Sequence, residues 1–154
     1  MGEGRTKKGG LTAYIEKRFY QYEKIKKAVF EARKDPAACK TGGNGSGHAF
    51  VSDPTANVAM KEVMPLPSVI IEVAKNETEV IKQPEKWLKI VEQTYLYYKN
   101  GIVYDMLKSR YSGEHYQKTC RELHISSSTY YQMITEAQHY ALACACQVGL
   151  VRVF

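Results

Sequence analysis

The chain has 154 residues, the size of one ordinary domain or of a small domain with an added arm, which excludes a large multi-domain enzyme. Leu, Ile, Val and Phe together number 33, just above the share below which a chain cannot bury enough apolar surface to fold, so the core must be modest. Twenty-two Lys and Arg against 16 Asp and Glu leave a net charge of +6, which favours a polyanionic partner.

No apolar run approaches the roughly 18 residues of a membrane span, so no membrane is implied. The N-terminus has Lys7 and Lys8 with no apolar segment behind them, which is not a secretory signal, and the chain is expected to be cytoplasmic. From residue 11 to 33 there are few helix breakers. Leu11, Ile15, Arg18, Tyr22, Ile25, Val29 and Ala32 recur at steps of three and four, the spacing of one helical face. Thr12 can cap the start, Arg33 and Lys34 suit the C-terminal end of the helix dipole, and Asp35-Pro36 ends it. Residues 1–35 thus read as a long basic helical arm, with ten basic residues against five acidic ones. Two uses are open to it: packing its stripe on its own domain or on a second copy, as a homo-oligomer, and meeting nucleic-acid phosphates with its basic face.

Residues 36–53, with Thr41-Gly42-Gly43-Asn44-Gly45-Ser46-Gly47-His48, form a glycine-rich connector without the apolar surface for a regular element. A phosphate-binding loop is not read there, because no Gly-Lys-Ser/Thr follows and no apolar strand precedes. A compact helical domain is expected over 54–154. It opens on a short helix from Asp53-Pro54-Thr55 through Lys61. The β-branched stretch Ser68–Ala74, a polar turn at Lys75-Asn76-Glu77-Thr78, and Val80-Ile81 suggest a small β-hairpin, with a helical alternative open. After Pro84, the residues Trp87, Ile90, Val91, Thr94, Tyr95 and Tyr98 follow an amphipathic helical period that Gly101 closes. Ile102, Val103, Met106 and Leu107 carry the period into a shorter helix interrupted at Ser112-Gly113.

The segment at about 114–140 carries the functional signal. Tyr116, Thr119, Cys120 and Leu123 are spaced as the buried face of a two-turn helix, and His124-Ile125-Ser126 follows as a short turn, the spacing of a helix-turn-helix. Glycine is common where this chain has His124. Ser126 is a good N-cap for a second helix starting at Ser127. In that helix Tyr130, Met133 or Ile134, and Ala137 can face inward, leaving Ser127, Ser128, Tyr131, Gln132 and Thr135 to enter a groove of double-stranded DNA. Gln pairs with adenine, Ser and Thr hydroxyls serve bases or phosphates, and Tyr meets a thymine methyl or a phosphate. Lys118 and Arg121 on the first helix, with Lys108 and Arg110 before it, can hold phosphates, although each can equally be an ordinary solvated charge. Packing without DNA is the bland alternative for the whole hairpin.

Four stretches in order, Ser52-Asp53-Pro54-Thr55-Ala56, Pro84-Glu85-Lys86-Trp87-Leu88, Leu123-His124-Ile125-Ser126-Ser127-Ser128-Thr129-Tyr130-Tyr131 and Leu150-Val151-Arg152-Val153-Phe154, resemble the RinA/ArpU-type phage transcriptional regulators of Gram-positive hosts and their prophages. The resemblance covers roughly residues 10–154. It implies a C-terminal helix-turn-helix similar to sigma-factor region 4, activation of late packaging and structural genes, and contact with RNA polymerase in the bacterial cytoplasm. It matches Ser126 to the recognition-helix cap and Ser127, Ser128, Tyr131 and Gln132 to DNA-facing positions. This chain departs from the pattern in having few Arg and Lys on that helix. A small terminase subunit, joining a helix-turn-helix to an oligomerising helix, is the rival function.

Catalytic and metal constellations are not read. Cys144 and Cys146, two apart on a helix, point about 200° apart and cannot both face one ion unaided. Cys39 beside Lys40 is an exposed thiol at most, and His48, His115, His124 and His139 share no ligand spacing. No Gly-x-Ser-x-Gly turn and no acidic cluster is present. The expectation is a mainly α binding protein, a helical bundle with a C-terminal helix-turn-helix, not an enzyme, with no cofactor and no metal. The apolar run 141–146, with the C-terminal Val148, Leu150, Val151, Val153 and Phe154, is expected to return to the core, with contact to a partner as the alternative.

Overall fold

The computed structural model describes residues 10–34 and 64–152. Its elements are α1 (Leu11–Lys34), β1 (Ser68–Ala74), β2 (Glu77–Lys82), α2 (Pro84–Tyr97), α3 (Ile102–Tyr111), α4 (Tyr116–Glu122) and α5 (Ser127–Gln147). The protein is mainly helical with one two-stranded antiparallel sheet. The connector expected over 36–53, the short helix expected from Asp53 through Lys61, Cys39, His48, Val153 and Phe154 lie outside the described residues.

The described residues form two compact units. One holds those up to Tyr22 and from Lys86 onward, and the other holds those from Glu23 to Glu85. The division falls inside α1 and does not follow the arm expected from sequence. The reason lies in the first half of that helix, whose Ile15, Arg18 and Phe19 are all buried. Phe19 stacks on Tyr111 with ring centroids 4.8 Å apart, Tyr14 meets Trp87 edge-on at 5.7 Å, and Arg18 lies over the Tyr14 and Trp87 rings. A helix start that makes such contacts is part of a core and not an appendage. Gly10 accepts the first helical bonds from Ala13 and Tyr14 at 3.0 and 3.2 Å, so Thr12 sits within the first turn instead of capping it.

The core of this unit is built around Met106, Leu107, Cys120, Tyr130, Ile134 and Ala137 from α3, α4 and α5. Val103, Tyr111, Tyr116, Leu123, Ile125 and Met133 pack on it while half-buried. The tyrosines thus supply apolar ring surface at the margin, as a chain short of aliphatic residues requires. Trp87, Ile90, Val91 and Thr94 of α2 are buried, and the Thr94 hydroxyl donates to the Ile90 carbonyl at 2.8 Å, which satisfies it inside the helix. The predicted return of the C-terminal run to the core holds for Ala141 and Ala145, both fully buried, whereas Val148 is exposed and Leu150 and Val151 are half-buried, because α5 ends at Gln147 and the chain turns away at Gly149. Among the described residues no helix is long and apolar enough to cross a membrane.

In the other unit, β1 and β2 pair with Ile70 opposite Val80 and Val69 opposite Ile81. The alternation buries Val69, Ile71 and Ile81 and leaves Ile70 and Val80 outside, the period of two of a half-buried strand. Lys75-Asn76 makes the turn, with Asn76 at φ 66°, a conformation Asn tolerates. Ile25 and Val29 of α1 are buried in the same unit, and Lys24 donates to the Glu72 carbonyl at 2.9 Å. Arg33 pairs with Glu85, whose other carboxylate oxygen accepts from the Leu66 backbone at 3.1 Å.

Candidate nucleic-acid interface

Three helix ends in the helical unit are closed by the same device. At the end of α3, Gly113 has φ 90° and Glu114 donates its backbone N–H to the Ser109 carbonyl at 3.0 Å. At the end of α5, Gly149 has φ 75° and Leu150 donates to Ala145 at 2.9 Å. At the end of α4, His124 has φ 54° and Ile125 donates to Cys120 at 3.0 Å. This last one is the turn of the helix-turn-helix. A non-glycine residue in the left-handed region costs about 1–2 kcal/mol, so the sequence difference seen at His124 leaves the geometry intact at the expense of some stability. The device also delivers Ile125 inward, where it packs on the Cys120 cluster.

Helix α4 is capped at its start by His115, whose Nδ1 accepts from the Gln117 backbone at 3.3 Å. It buries Thr119 and Cys120. The Thr119 hydroxyl lies 2.5 Å from that of Ser109, tying α4 to α3. Ser126 then caps α5: its hydroxyl accepts from the Thr129 backbone at 3.1 Å, as a Ser at that position does when the next residues enter a helix. The inward row of α5 is Tyr130, Ile134 and Ala137, all buried, with Met133 at the margin.

Ser127, Ser128, Tyr131, Gln132 and Thr135 are all exposed. They occupy two adjacent ridges, 127-131-135 and 128-132, because residues four apart stack along a helix. Tyr131 stands against the Tyr116 and Tyr130 rings at centroid distances of 5.3 and 5.4 Å, which supports its ring while 46% of the residue stays exposed. The Thr135 hydroxyl donates to the Tyr131 carbonyl at 2.8 Å, so it faces a partner outside the helix chiefly as an acceptor. Glu136, which sequence reasoning passed over, accepts from the Gln132 side-chain amide at 3.2 Å. The four-residue step between the two was its only sequence signal.

The four cations expected to flank this face are not equivalent. Arg121 is exposed and donates Nε to its own helix at the Gln117 carbonyl, 3.3 Å away. Lys118 is exposed and lies 2.9 Å from Glu114 and 3.8 Å from Glu122. The Glu114 hydrogen bond raises its pKa, while the Ser109 hydroxyl and then Lys118 lower that of Glu114. Lys108 is exposed above the Tyr104 ring, 4.6 Å from its centroid, and hydrogen bonding with Tyr104 raises its pKa. Arg110 is different: its Nε donates to Glu16 Oε1 at 2.6 Å, and both side chains are only about a fifth exposed. Burial works against its charge, but the bonds with Glu16 and Tyr130 outweigh that and raise its pKa. Arg110 thus joins α3 to α1 in the core margin. Beside it, burial holds Tyr111 well above the usual phenol range, and against the Phe19 and Tyr104 rings burial pushes Tyr95 up to about 12.

Span 114–152 carries Lys118, Arg121 and Arg152 against Glu114, Glu122 and Glu136, so the helix-turn-helix with its C-terminal extension has no net charge apart from its histidines. The excess lies elsewhere, as in α1, with seven basic residues against three acidic ones. Cys144 and Cys146 are both half-buried on α5, and no cluster of three or more His, Cys, Asp or Glu suited to a metal occurs among the described residues. Compared with known proteins, the chain matches no family model, no curated protein and no solved structure.

Proposed function

We propose that the protein is a sequence-specific binder of double-stranded DNA that regulates transcription, with α5 as the helix that enters the major groove. The observation that carries this reading is the pairing of α4 and α5 across a four-residue turn, with an outward row of hydroxyl, phenol and amide groups starting at a Ser-capped helix end. Such a row can read base edges, whereas the N-terminal end of a helix suits nearby phosphates. The balanced charge of the span means that α4 and α5 supply selectivity more than affinity. Attraction to phosphates then comes from the exposed lysines of other helices, with Arg121 and Lys118 setting the docking register.

Activation of phage late genes, and contact with RNA polymerase in a bacterial cytoplasm, extend this reading on the strength of the sequence resemblance. The test is duplex binding by the full chain at two salt concentrations. Affinity is expected to fall steeply as salt rises, and Arg121→Ala to weaken binding to all sequences while flattening the log–log salt slope by about one. Absence of salt-dependent duplex binding would sink the proposal. A large closed ring of copies bound to DNA would favour genome packaging over transcription.

A further inference from the structure

The outward row of α5 contains no Arg or Lys, so the commonest guanine contact, a cation forked onto N7 and O6, is not available to it. Gln132 is the member of the row that offers a donor and an acceptor on one planar group. Its amide is not free to turn over. Nε2 lies 3.2 Å from Glu136 Oε1, and a carboxylate has no proton to give, so only the NH2 end of the amide can face it. Turning the group over would set oxygen against oxygen.

We propose, resting on the DNA-binding reading above, that Gln132 is the specificity-determining residue for an adenine in the major groove and that Glu136 is its positioning residue. With one N–H committed to Glu136, Gln132 presents one acceptor, Oε1, and one remaining donor. Adenine shows the complement, the N6 donor beside the N7 acceptor. Guanine shows two acceptors and would need both amide hydrogens, one of which Glu136 holds. The carboxylate therefore excludes guanine as well as orienting the amide toward adenine. Glu136 also adds a negative charge on this side of α5. That charge works against phosphate affinity, and its presence is accounted for by the selectivity it confers.

The experiment is enrichment from a pool of DNA duplexes with a randomised centre, using the full chain as wild type, Gln132→Ala and Glu136→Gln. Both changes are at exposed positions, and circular dichroism checks that the helices persist. The wild type is expected to enrich adenine at one position by roughly tenfold or more, and Gln132→Ala to lose preference at that position alone. Glu136→Gln keeps a side chain of the same shape but lets the pair turn over, so it is expected to accept guanine beside adenine at the same position. Loss of a negative charge by itself would raise affinity for every sequence alike and leave that base ratio unmoved. Three results overturn the inference while leaving DNA binding intact: an unchanged adenine-over-guanine ratio in Glu136→Gln, full adenine preference in Gln132→Ala, or a preferred cytosine that depends on Glu136 and not on Gln132. Failure of the wild type to bind any duplex removes the underlying reading together with the inference.

Discussion

Along α5, Tyr130, Ile134, Ala137, Ala141 and Ala145 are sealed from solvent, whereas Ser127, Ser128, Tyr131, Gln132 and Thr135 stand open to it. The inner row consists of residues whose shapes fill a core, and its alanines let neighbouring helices come close. Most of the outer row consists of residues that a helix optimised for its own stability would not choose. Ser and Thr fall below Ala, Glu, Lys and Arg in helix propensity, by up to about 0.7 kcal/mol each, and unlike Tyr131, whose ring stands against those of Tyr116 and Tyr130, they have no ring neighbour to hold them there. Most of the outer row therefore lies below its stability optimum, as the proposed DNA contact would leave it.

The largest effect expected from this contrast lies on the inner row. Ile134 is 2% exposed inside the α3, α4 and α5 cluster, and Ile134→Ala removes methylenes that nothing can replace without movement. A loss of about 2–5 kcal/mol is expected, read as a lower midpoint in chemical denaturation with the slope unchanged. If the loss is under about 0.5 kcal/mol, the inner row is not a core and the contrast between the two sides of α5 disappears.

A smaller loss separates a structural cation from a binding one. Arg110→Ala leaves Glu16 with its carboxylate mostly buried and without that guanidinium, and a cost of about 2–3 kcal/mol is expected, below that of a fully buried pair because both ends keep some exposure. Glu16→Ala in the same background should recover part of it, which a double-mutant cycle measures. Any effect on duplex binding should follow the loss of folded protein and leave the salt slope as it was, unlike that of Arg121→Ala. A flatter slope for Arg110→Ala in fully folded protein would return this residue to the phosphate-contacting set.

The contrast between Arg110 and Ser126 also shows what was legible in the sequence. Ser126 is a local device: its oxygen reaches a backbone N–H three residues on, so residue type and position suffice to identify it. The rows of α5 and the buried residues of α4 follow from helical period in the same way, and the hairpin follows from β-branched strands around an Asn turn. Arg110 pairs with a residue 94 positions away, and no local pattern distinguishes it from the solvated Lys108 two residues earlier. The division of α1 was hidden for a related reason. Its stripe runs from Ile15 to Val29 without a break in period, and period tells which side is covered but not what covers it. Phe19, off the predicted stripe, is buried because the Tyr95 and Tyr111 rings widen the covered side, and Gln21, also off it, is buried while its side-chain oxygen accepts from Arg18 at 2.7 Å. The Gln132 and Glu136 pair was legible as a four-residue step but had no consequence until both were known to stand outside the core.

The smallest effect on stability is also the one with opposite signs in two measurements. Thr135 is exposed, β-branched, and back-bonded to the Tyr131 carbonyl, an arrangement that slightly destabilises a helix. Thr135→Ala removes the branch and the back-bond and adds the best helix former, so stability should rise by about 0.5 kcal/mol in thermal or denaturant melts. If the outer row contacts DNA, the same change removes an acceptor and a methyl group from the contact, and duplex affinity should fall while the protein becomes more stable. A surface that only faces water would give the first result without the second. A variant both more stable and equally tight would place Thr135 outside the interface and confine the reading surface to Ser127, Ser128, Tyr131 and Gln132.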